Sequence, residues 1–518
     1  MKRNELINNL QQETLWDVVI IGGGATGLGT AVESVTRGYK TLLLEQLDFT
    51  IGTSSRSTKL VHGGVRYLEQ GNISLVFEAL KERGLLFKNA PHLVSNQTFL
   101  IPSYSWWHKP FYTIGLIIYD ILSGRKSFGK SRPFSRKNTI KKMPNLIKKQ
   151  LRGGIVYHDG QFDDARLGLN LAQTAIQNGA TVLNYVKVTD LIKQNGKVIG
   201  VQAKDQETQQ KFNIKAKVVI NATGVFVDGI IKKDNPKAKK TVKPSQGVHI
   251  IINKEFLQSD FALLIPKTKD GRVLFAVPWH DKVILGTTDE PKEKPSIEPQ
   301  ATDKEIDFIL ETASNYLIKK PTRKDIKSVF AGLRPLAAPN EQEKTKEISR
   351  NHKIMISNSG LISIIGGKWT TYREMAEDVI NKAQKTANLA KAESITENLK
   401  IYGFKEKNDF NNPLYFYGSD LEKIENLIKK DASLGELISK KLHINKAQIV
   451  FAVQNEYARN TYDILARRTR ALFLDAKECI KIAPQVIQII AKERQKDKNW
   501  EQKELTIFTE IANRYLAN

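Results

Sequence analysis

Residues 16–45 read WDVVIIGGGATGLGTAVESVTRGYKTLLLE. Trp16–Ile21 is an apolar run of strand length, and Gly22-Gly23-Gly24-Ala25-Thr26-Gly27 follows it. A small-residue helix then runs to about Arg37, Gly38 ends it, and Tyr39–Glu45 is the next strand. This βαβ order gives the G-x-G-x-x-G fingerprint the context it needs. Gly22, Gly24 and Gly27 permit a tight turn and let a pyrophosphate approach the helix N-terminus, where free N–H groups and the dipole attract anions. Glu45 stands 18 residues beyond Gly27, at the strand end where a carboxylate accepts hydrogen bonds from an adenosine ribose. The stretch predicts a dinucleotide-binding Rossmann-like unit.

Two later segments read as strands of the same sheet. Lys217–Gly224 (KVVINATG) is apolar and ends in Ala222-Thr223-Gly224; Leu361–Gly367 (LISIIGG) runs into a helix-like stretch, Lys368–Ile380. A strand, two glycines and a helix start again aim N–H groups at a ligand. The cofactor part is therefore discontinuous, about 1–100, 150–240 and 350–395. Residues 101–149 and 241–349 form the substrate part of a region covering 1–400. There Val248–Ile252, Arg272–Val277 and Lys282–Thr287 read as β-strands, rich in β-branched residues and bounded by Gly, Pro and Asp. After a linker near 391–415 the pattern becomes helix-periodic, at Leu421–Leu427, around Lys446–Tyr457 and at Thr461–Asp475, giving a helical C-terminal domain over 401–518. The expected fold class is α/β, a dinucleotide-binding Rossmann-like domain with an antiparallel β substrate domain and that helical region.

Composition narrows the function classes. A chain of 518 residues exceeds one ordinary core. Its 41% hydrophobic and 26% charged content is that of a folded protein, and its net charge of +25 points to anionic partners. Cys479 is the one cysteine, which excludes an internal disulfide and a cysteine metal cluster; no metal is expected. The first residues lack the apolar core of a secretory signal, and Glu5 and Glu13 interrupt any transit-peptide pattern. No uninterrupted apolar run reaches the ~18–20 residues that span a bilayer.

The chemistry is concentrated in Ser54–Glu69, SSRSTKLVHGGVRYLE, where Arg56, Lys59, His62 and Arg66 surround the pair Gly63-Gly64. Glycines let backbone approach a flat ligand. Cations on either side suit an anionic substrate or a reduced cofactor.

These residues resemble the FAD-dependent, quinone-linked glycerol-3-phosphate dehydrogenases of the D-amino-acid-oxidase-like superfamily. The matching stretches are IGGGATGLG at 21–29, the segment 54–69, DDARL at 163–167, NATG at 221–224, GTTD at 286–289, GLRPL at 332–336, GGKWTTYREMA at 366–376 and LARRTRALFLDA at 465–476. They span nearly the whole chain in the family's order. Leu28 and Glu33 depart from it, where a small residue and Asp are usual. The resemblance implies FAD as cofactor, with Gly22, Gly24, Gly27, Glu45, Ser54, Ser55, Lys59, Ala222, Gly224, Gly366, Gly367 and Thr370 around it. It implies Arg66, Tyr67, Arg350 and Lys368 as the clamp for a phosphorylated substrate, a task for which a planar guanidinium suits bidentate binding. It places Arg334 and His249 beside the reacting hydroxyl, with His62 in the flavin-facing segment. A histidine has a suitable pKa for the proton. Arginine is a poor base, so Arg334 is expected to orient and stabilise charge; which group takes the proton stays open.

The implied reaction is oxidation of sn-glycerol 3-phosphate to dihydroxyacetone phosphate. The expected acceptor is a membrane quinone, and the expected place is cytoplasmic, on the inner face of the cell membrane. Residues 123–152 hold eleven Lys or Arg and no acid, directly after the aromatic and aliphatic stretch Trp106–Leu122. That pairing suits an interfacial anchor on an anionic surface, against a buried helix followed by a solvated basic loop. A homodimer is an open expectation. Two alternatives stand beside this reading: an oxidase passing the electrons to oxygen, and an FAD-containing RNA-binding or RNA-modifying protein suggested by the charge. The basic block carries only Phe128 and Phe134 for stacking on bases, so no nucleic-acid partner is expected.

Overall fold

The computed structural model describes residues 2–64, 72–124, 128–266, 268, 271–337 and 352–517. Its cofactor sheet has Trp16–Ile21 at the centre, with Thr41–Leu44 and Thr181–Leu183 on one side and Lys211–Asn221 and Ile362–Gly366 on the other, all parallel. His352–Ile356 closes that edge antiparallel. Ile20 pairs with both Ile220 and Leu43. These central strands are buried on both faces, which is why they read as continuous apolar runs rather than alternating ones. Ala25–Thr36, Asp164–Gln177 and Tyr372–Thr386 cover the sheet.

The glycine fingerprint is explained by contact. A Cβ on Gly27 would lie 1.9 Å from the carbonyl oxygen of Gly22, so helix and loop meet as closely as they do only because Gly27 has no side chain. The unusual Glu33 on the same helix is buried against Arg37 at 2.6 Å and accepts from Thr396 Oγ1 at 2.6 Å. It thereby ties the cofactor helix to the start of the C-terminal region.

The second sheet has ten strands among the described residues. Val242–Asn253 is central to the site, flanked antiparallel by Lys282–Gly286 and Ser328–Ala337. The sheet is not wholly antiparallel: Ala262–Ile265 runs parallel to Val94–Ser103. Those two strands come from chain segments far apart in sequence, so no hairpin imposes their direction.

Residues beyond 400 form helices, as the periodicity indicated, but they share cores with both sheets. Phe416, Tyr417, Ile424 and Phe451 join the cofactor core, whereas Ile449, Leu472, Phe473 and Ile487 pack with strands of the second sheet. The stretch expected as one helix over Thr461–Asp475 is instead a π-helix, Asp463–Arg468, and a short helix, Ala471–Leu474, with Arg470 between them at φ 58°. Charge explains the break. Arg467 reaches Asp48 at 2.5 Å and Asp463 at 2.7 Å, and Arg468 reaches Asp48 with a second nitrogen at 2.9 Å. Arg470 turns away to Asp163 at 2.7 Å, and all three guanidinium groups are buried. A straight helix would send these side chains around its axis instead of into two fixed acids.

Asp48 is the acid in the cofactor part that receives two of them. Burial raises its pKa, but Arg468 and Arg467 outweigh burial and hold the carboxyl below its usual range. Asp48→Asn leaves two buried cations undercompensated. It should destabilise the FAD-loaded protein by about 3–5 kcal/mol, read from the denaturant midpoint.

Candidate active site

Two clefts meet between the sheets. The first, of about 350 Å³, runs along the C-terminal ends of the parallel strands, the usual ligand position in such sheets. Gly22, Gly24, Glu45, Ser54, Ala222, Gly224, Gly366 and Gly367 line it. At its centre lies the start of helix Ala25–Thr36. The N-cap residue there is Gly24, which offers no capping side chain; Ser54 Oγ accepts from the Ala25 N–H at 2.9 Å. The Glu45 carboxylate accepts from the Gly23 N–H at 2.7 Å and the Leu47 N–H at 2.9 Å. It thus stiffens the glycine loop and retains lone pairs towards the cleft. Burial pushes the Glu45 carboxyl up, partly countered by these N–H groups. An elongated cleft, a helix N-terminus at its middle and a strand-end carboxylate fit a dinucleotide such as FAD.

The second cleft, of about 220 Å³, opens from the first at Thr53, Pro335 and Gly366–Trp369. Arg56, Thr58, His62, His249, Arg334, Lys368 and Thr370 line it. Strand geometry makes its floor. Ser245 pairs with Arg334, Gly247 with Gly332 and His249 with Phe330. Every second residue faces one side, so the missing side chains of the glycine pair make room for the Arg334 guanidinium over Gly247 and for the Arg56 backbone over Gly332, with His249 on the same face. A Cβ on Gly247 would sit 2.4 Å from an Arg334 guanidinium nitrogen and 2.6 Å from Thr287 Oγ1. The guanidinium itself donates to Thr287 Oγ1 and to the Thr288 carbonyl, both at 3.1 Å, and lies 3.4 Å from Asp289.

His249 is buried and stacks on Phe330 at 4.9 Å, with planes 17° apart. Its Nε2 shares a hydrogen bond with Thr58 Oγ1 at 2.9 Å. Nδ1 has no hydrogen-bond partner among the described residues. Burial, then Arg334 and Lys59, push the ring well below the ordinary histidine range. It is therefore neutral, the form able to accept a proton. On the opposite wall the Trp369 indole donates to the Ser54 carbonyl at 2.8 Å, and the His62 N–H donates to Thr370 Oγ1 at 3.3 Å. These two bonds join the 54–62 segment to the Gly366–Thr370 turn.

Three expected site residues that the structure describes, Gly27, Lys59 and Ser55, line neither cleft; Gly27 packs on the Gly22 carbonyl. The Lys59 ammonium is fully buried, donating to both Asp164 carboxylate oxygens at 2.7 Å and to the Ser55 carbonyl at 2.5 Å. Trp279, Phe330 and Phe473 ring it at 5.1–5.5 Å. Lys59 is thus held in a buried ion pair. Ser55 is buried with its hydroxyl on Thr50 Oγ1 at 2.9 Å. Arg66, Tyr67 and Arg350 lie outside the described residues. Sequence reading missed Thr58, Gly247 and Gly332. The only signal was a glycine at the same depth in two strands, visible once their pairing is known. Among the described residues no group of His, Cys, Asp or Glu could hold a metal ion.

The fold and the paired clefts define a flavin-type oxidoreductase. Residues 17–373 match the FAD dependent oxidoreductase family, and residues 360–503 match the C-terminal domain of alpha-glycerophosphate oxidase. The chain is 39% identical to the human mitochondrial glycerol-3-phosphate dehydrogenase, over 99% of this chain and 75% of that protein. It is 38% identical to the mitochondrial enzyme of Arabidopsis thaliana, over 97% and 86%. The FAD-complexed glycerol-3-phosphate dehydrogenase of Bacillus halodurans superposes with a TM-score of 0.82 at 30% identity, covering 99% of this chain and 98% of that one. The chain belongs to the FAD-dependent glycerol-3-phosphate dehydrogenase family, and its cofactor is FAD.

Gly247→Ala should displace the Arg334 guanidinium from Thr287 without disturbing the first cleft. Turnover should fall by about 10²-fold, the scale of a small misplacement of a reacting group, with FAD absorbance per protein unchanged.

Proposed function

We propose that this protein oxidises sn-glycerol 3-phosphate to dihydroxyacetone phosphate and passes the electrons to a membrane quinone. The observation that carries the reading is the second cleft, which Gly247 and Gly332 help to line. It holds Arg334 and the neutral His249 on one wall, faces Lys368 on the other, and opens on the cofactor cleft. Its volume of about 220 Å³ suits a three-carbon phosphoester. In this reading Gly22, Gly24, Gly27, Glu45, Ser54, Ala222, Gly224, Gly366, Gly367 and Thr370 hold FAD, within a cofactor part of roughly 1–100, 150–240 and 350–395. Bound there, FAD supplies the acceptor for the hydride leaving C2.

The chain's own residues supply the rest. Lys368, with Arg66, Tyr67 and Arg350, clamps the phosphate dianion. Arg334, held in place by Thr287, Thr288 and Asp289, orients the C2 hydroxyl and stabilises oxygen charge as the carbonyl forms. His249 takes the hydroxyl proton, and Thr58 fixes the ring; His62 stands beside it in the same cleft. Because burial and neighbouring cations depress the His249 pKa, the base form persists to low pH. The acid limb of kcat should lie below the ordinary histidine value near 6.5.

A membrane position follows from the helix His108–Ser123. Trp106 and Trp107 before it are 73% and 82% exposed, and Phe111, Ile114 and Ile121 on it are 58%, 62% and 71% exposed. No described helix is long and apolar enough to cross a membrane. An exposed apolar face next to basic residues 130–152 suits a helix lying in an anionic interface, on the inner face of the cell membrane. Such a place also brings a lipid-soluble acceptor within reach.

Glycerol 3-phosphate, and not glycerol, should bleach the bound flavin under anaerobic conditions; persistent flavin absorbance would sink the reading. Arg334→Ala and Lys368→Ala should each cost about 2–4 kcal/mol in kcat/KM, on the scale of one lost preorganised donor. A quinone analogue should be reduced in step with substrate; peroxide formed one-for-one instead would assign oxygen as acceptor. The protein should sediment with anionic vesicles at low salt, and Trp106→Ser with Ile114→Ser should release it.

A further inference from the structure

The region after residue 400 meets a residue of the second cleft at Arg56. Arg56 lines that cleft, and its guanidinium is buried below it. One terminal nitrogen donates to the Ile297 carbonyl; the other donates to Glu298 Oε1 at 2.5 Å and to the Tyr462 hydroxyl at 3.0 Å, with the Tyr515 hydroxyl at 3.4 Å. Tyr462 donates to the same Glu298 oxygen, Tyr515 reaches Oε2 at 3.3 Å, and the two tyrosine hydroxyls are 2.9 Å apart. The Arg56 charge is therefore spent on one carboxylate and two phenols. It is poorly placed to act as a further phosphate clamp.

What Arg56 can do is fix its own backbone, and that backbone matters. Three residues before it, Thr53 Oγ1 donates to the Leu333 carbonyl, next to Arg334. Two residues after it, Thr58 Oγ1 meets His249 Nε2. Between them the Arg56 backbone presses on Gly332, where a Cβ would sit 3.0 Å from its carbonyl oxygen. The segment 53–58 is thus laid across the strand that carries Arg334, with one end on that arginine's neighbour and the other on the histidine.

We propose that Tyr462, Tyr515, Glu298 and Arg56 form a positioning network through which the C-terminal helical region holds Thr58 against His249. The inference rests on reading the His249 and Arg334 cleft as the reaction site, and it gives the C-terminal region a task in the chemistry. The charged groups facing His249 are Arg334, compensated by Asp289, and Lys59, compensated by Asp164. None of them belongs to the network. Loosening the network therefore acts on the ring by releasing Thr58 and admitting water, not by removing a charge from its surroundings.

The test is the paired substitution Tyr462→Phe with Tyr515→Phe in the FAD-loaded full chain. Both rings stay to pack, Tyr515 edge-on to Phe473 at 5.6 Å and Tyr462 beneath Arg467 at 4.5 Å. The expected result is a fall in kcat of about 10- to 100-fold with KM for glycerol 3-phosphate nearly unchanged. The His249 titration, followed by NMR of ¹⁵N-histidine-labelled protein and assigned with His249→Asn, should move up towards the ordinary value as burial is relieved. The acid limb of kcat should move with it. Thr58→Ala, which deletes the bond and leaves room for water beside the ring, should reproduce the titration shift with the network intact. If the double variant loses only thermal stability or FAD occupancy, with the His249 titration and the acid limb where they were, the network is merely structural and the proposal is overturned. The histidine titration needs no substrate. Failure of glycerol 3-phosphate to reduce the wild-type flavin would therefore refute the assigned reaction, while the titration still decided the network.

Discussion

The structure depends on a lysine that never meets solvent. The Lys59 ammonium sits on both oxygens of Asp164, and the adjacent Asp163 receives Arg470 from the far end of the chain. The two acids open the helix Asp164–Gln177, where the dipole favours negative charge. Asp163 also caps that helix through the Arg166 N–H at 3.1 Å. One helix N-terminus therefore anchors the 53–62 segment on one side and the C-terminal region on the other. Removing either cation would strand a buried carboxylate, a cost that exceeds what an intact pair contributes. Once Lys59 is fixed, Ser54 reaches the cofactor helix, Thr58 reaches His249 and His62 lines the substrate cleft.

A sheet face does the rest of the shaping. Pairing Val242–Asn253 with Ser328–Ala337 places two glycines opposite each other. The residues flanking them on the same face are the histidine and the arginine to which the proposed function gives the chemistry. The cleft thus depends on register: a one-residue slip would turn His249 and Arg334 to the other face. The wall formed by residues 54–63 is secured separately, by Trp369 on Ser54 and by the Tyr119 hydroxyl, which accepts from the Gly63 N–H at 2.8 Å and donates to Asp159 at 2.8 Å. Tyr119 belongs to the exposed apolar helix. The surface that faces a membrane in the proposed function is thereby joined by one buried side chain to the segment lining the cleft.

The buried arginines change where cations sit and not the net charge, because each sits with an acid. A net +25 suggests a wholly basic exterior. Yet Arg56, Arg83, Arg166, Arg467, Arg468 and Arg470 are inside, each matched to an acid. The pairs of Arg166, Arg467, Arg468 and Arg470 hold the C-terminal helices to the cofactor part, and the last three explain why the LARRTRALFLDA motif breaks its helix. Residues 130–152 gather Lys and Arg without an acid beside the apolar helix.

What the sequence by itself determined was whatever is encoded over a short span. The G-x-G-x-x-G turn, its flanking strands and the terminal Glu45 follow from local periodicity and local backbone needs, and the structure has them where they were expected. Lys59 and Lys368 looked alike in sequence, each a cation in a specific motif beside small residues. Only tertiary structure separated them, because the fate of a cation is set by which acid the fold brings to it. Lys59 met Asp164 from a helix about a hundred positions away, whereas Lys368 was carried by the Gly366-Gly367 turn to the wall of the cleft. The part that Gly247 and Gly332 play in the cleft was equally hidden, since what lies over a strand glycine is undecided until the register is fixed.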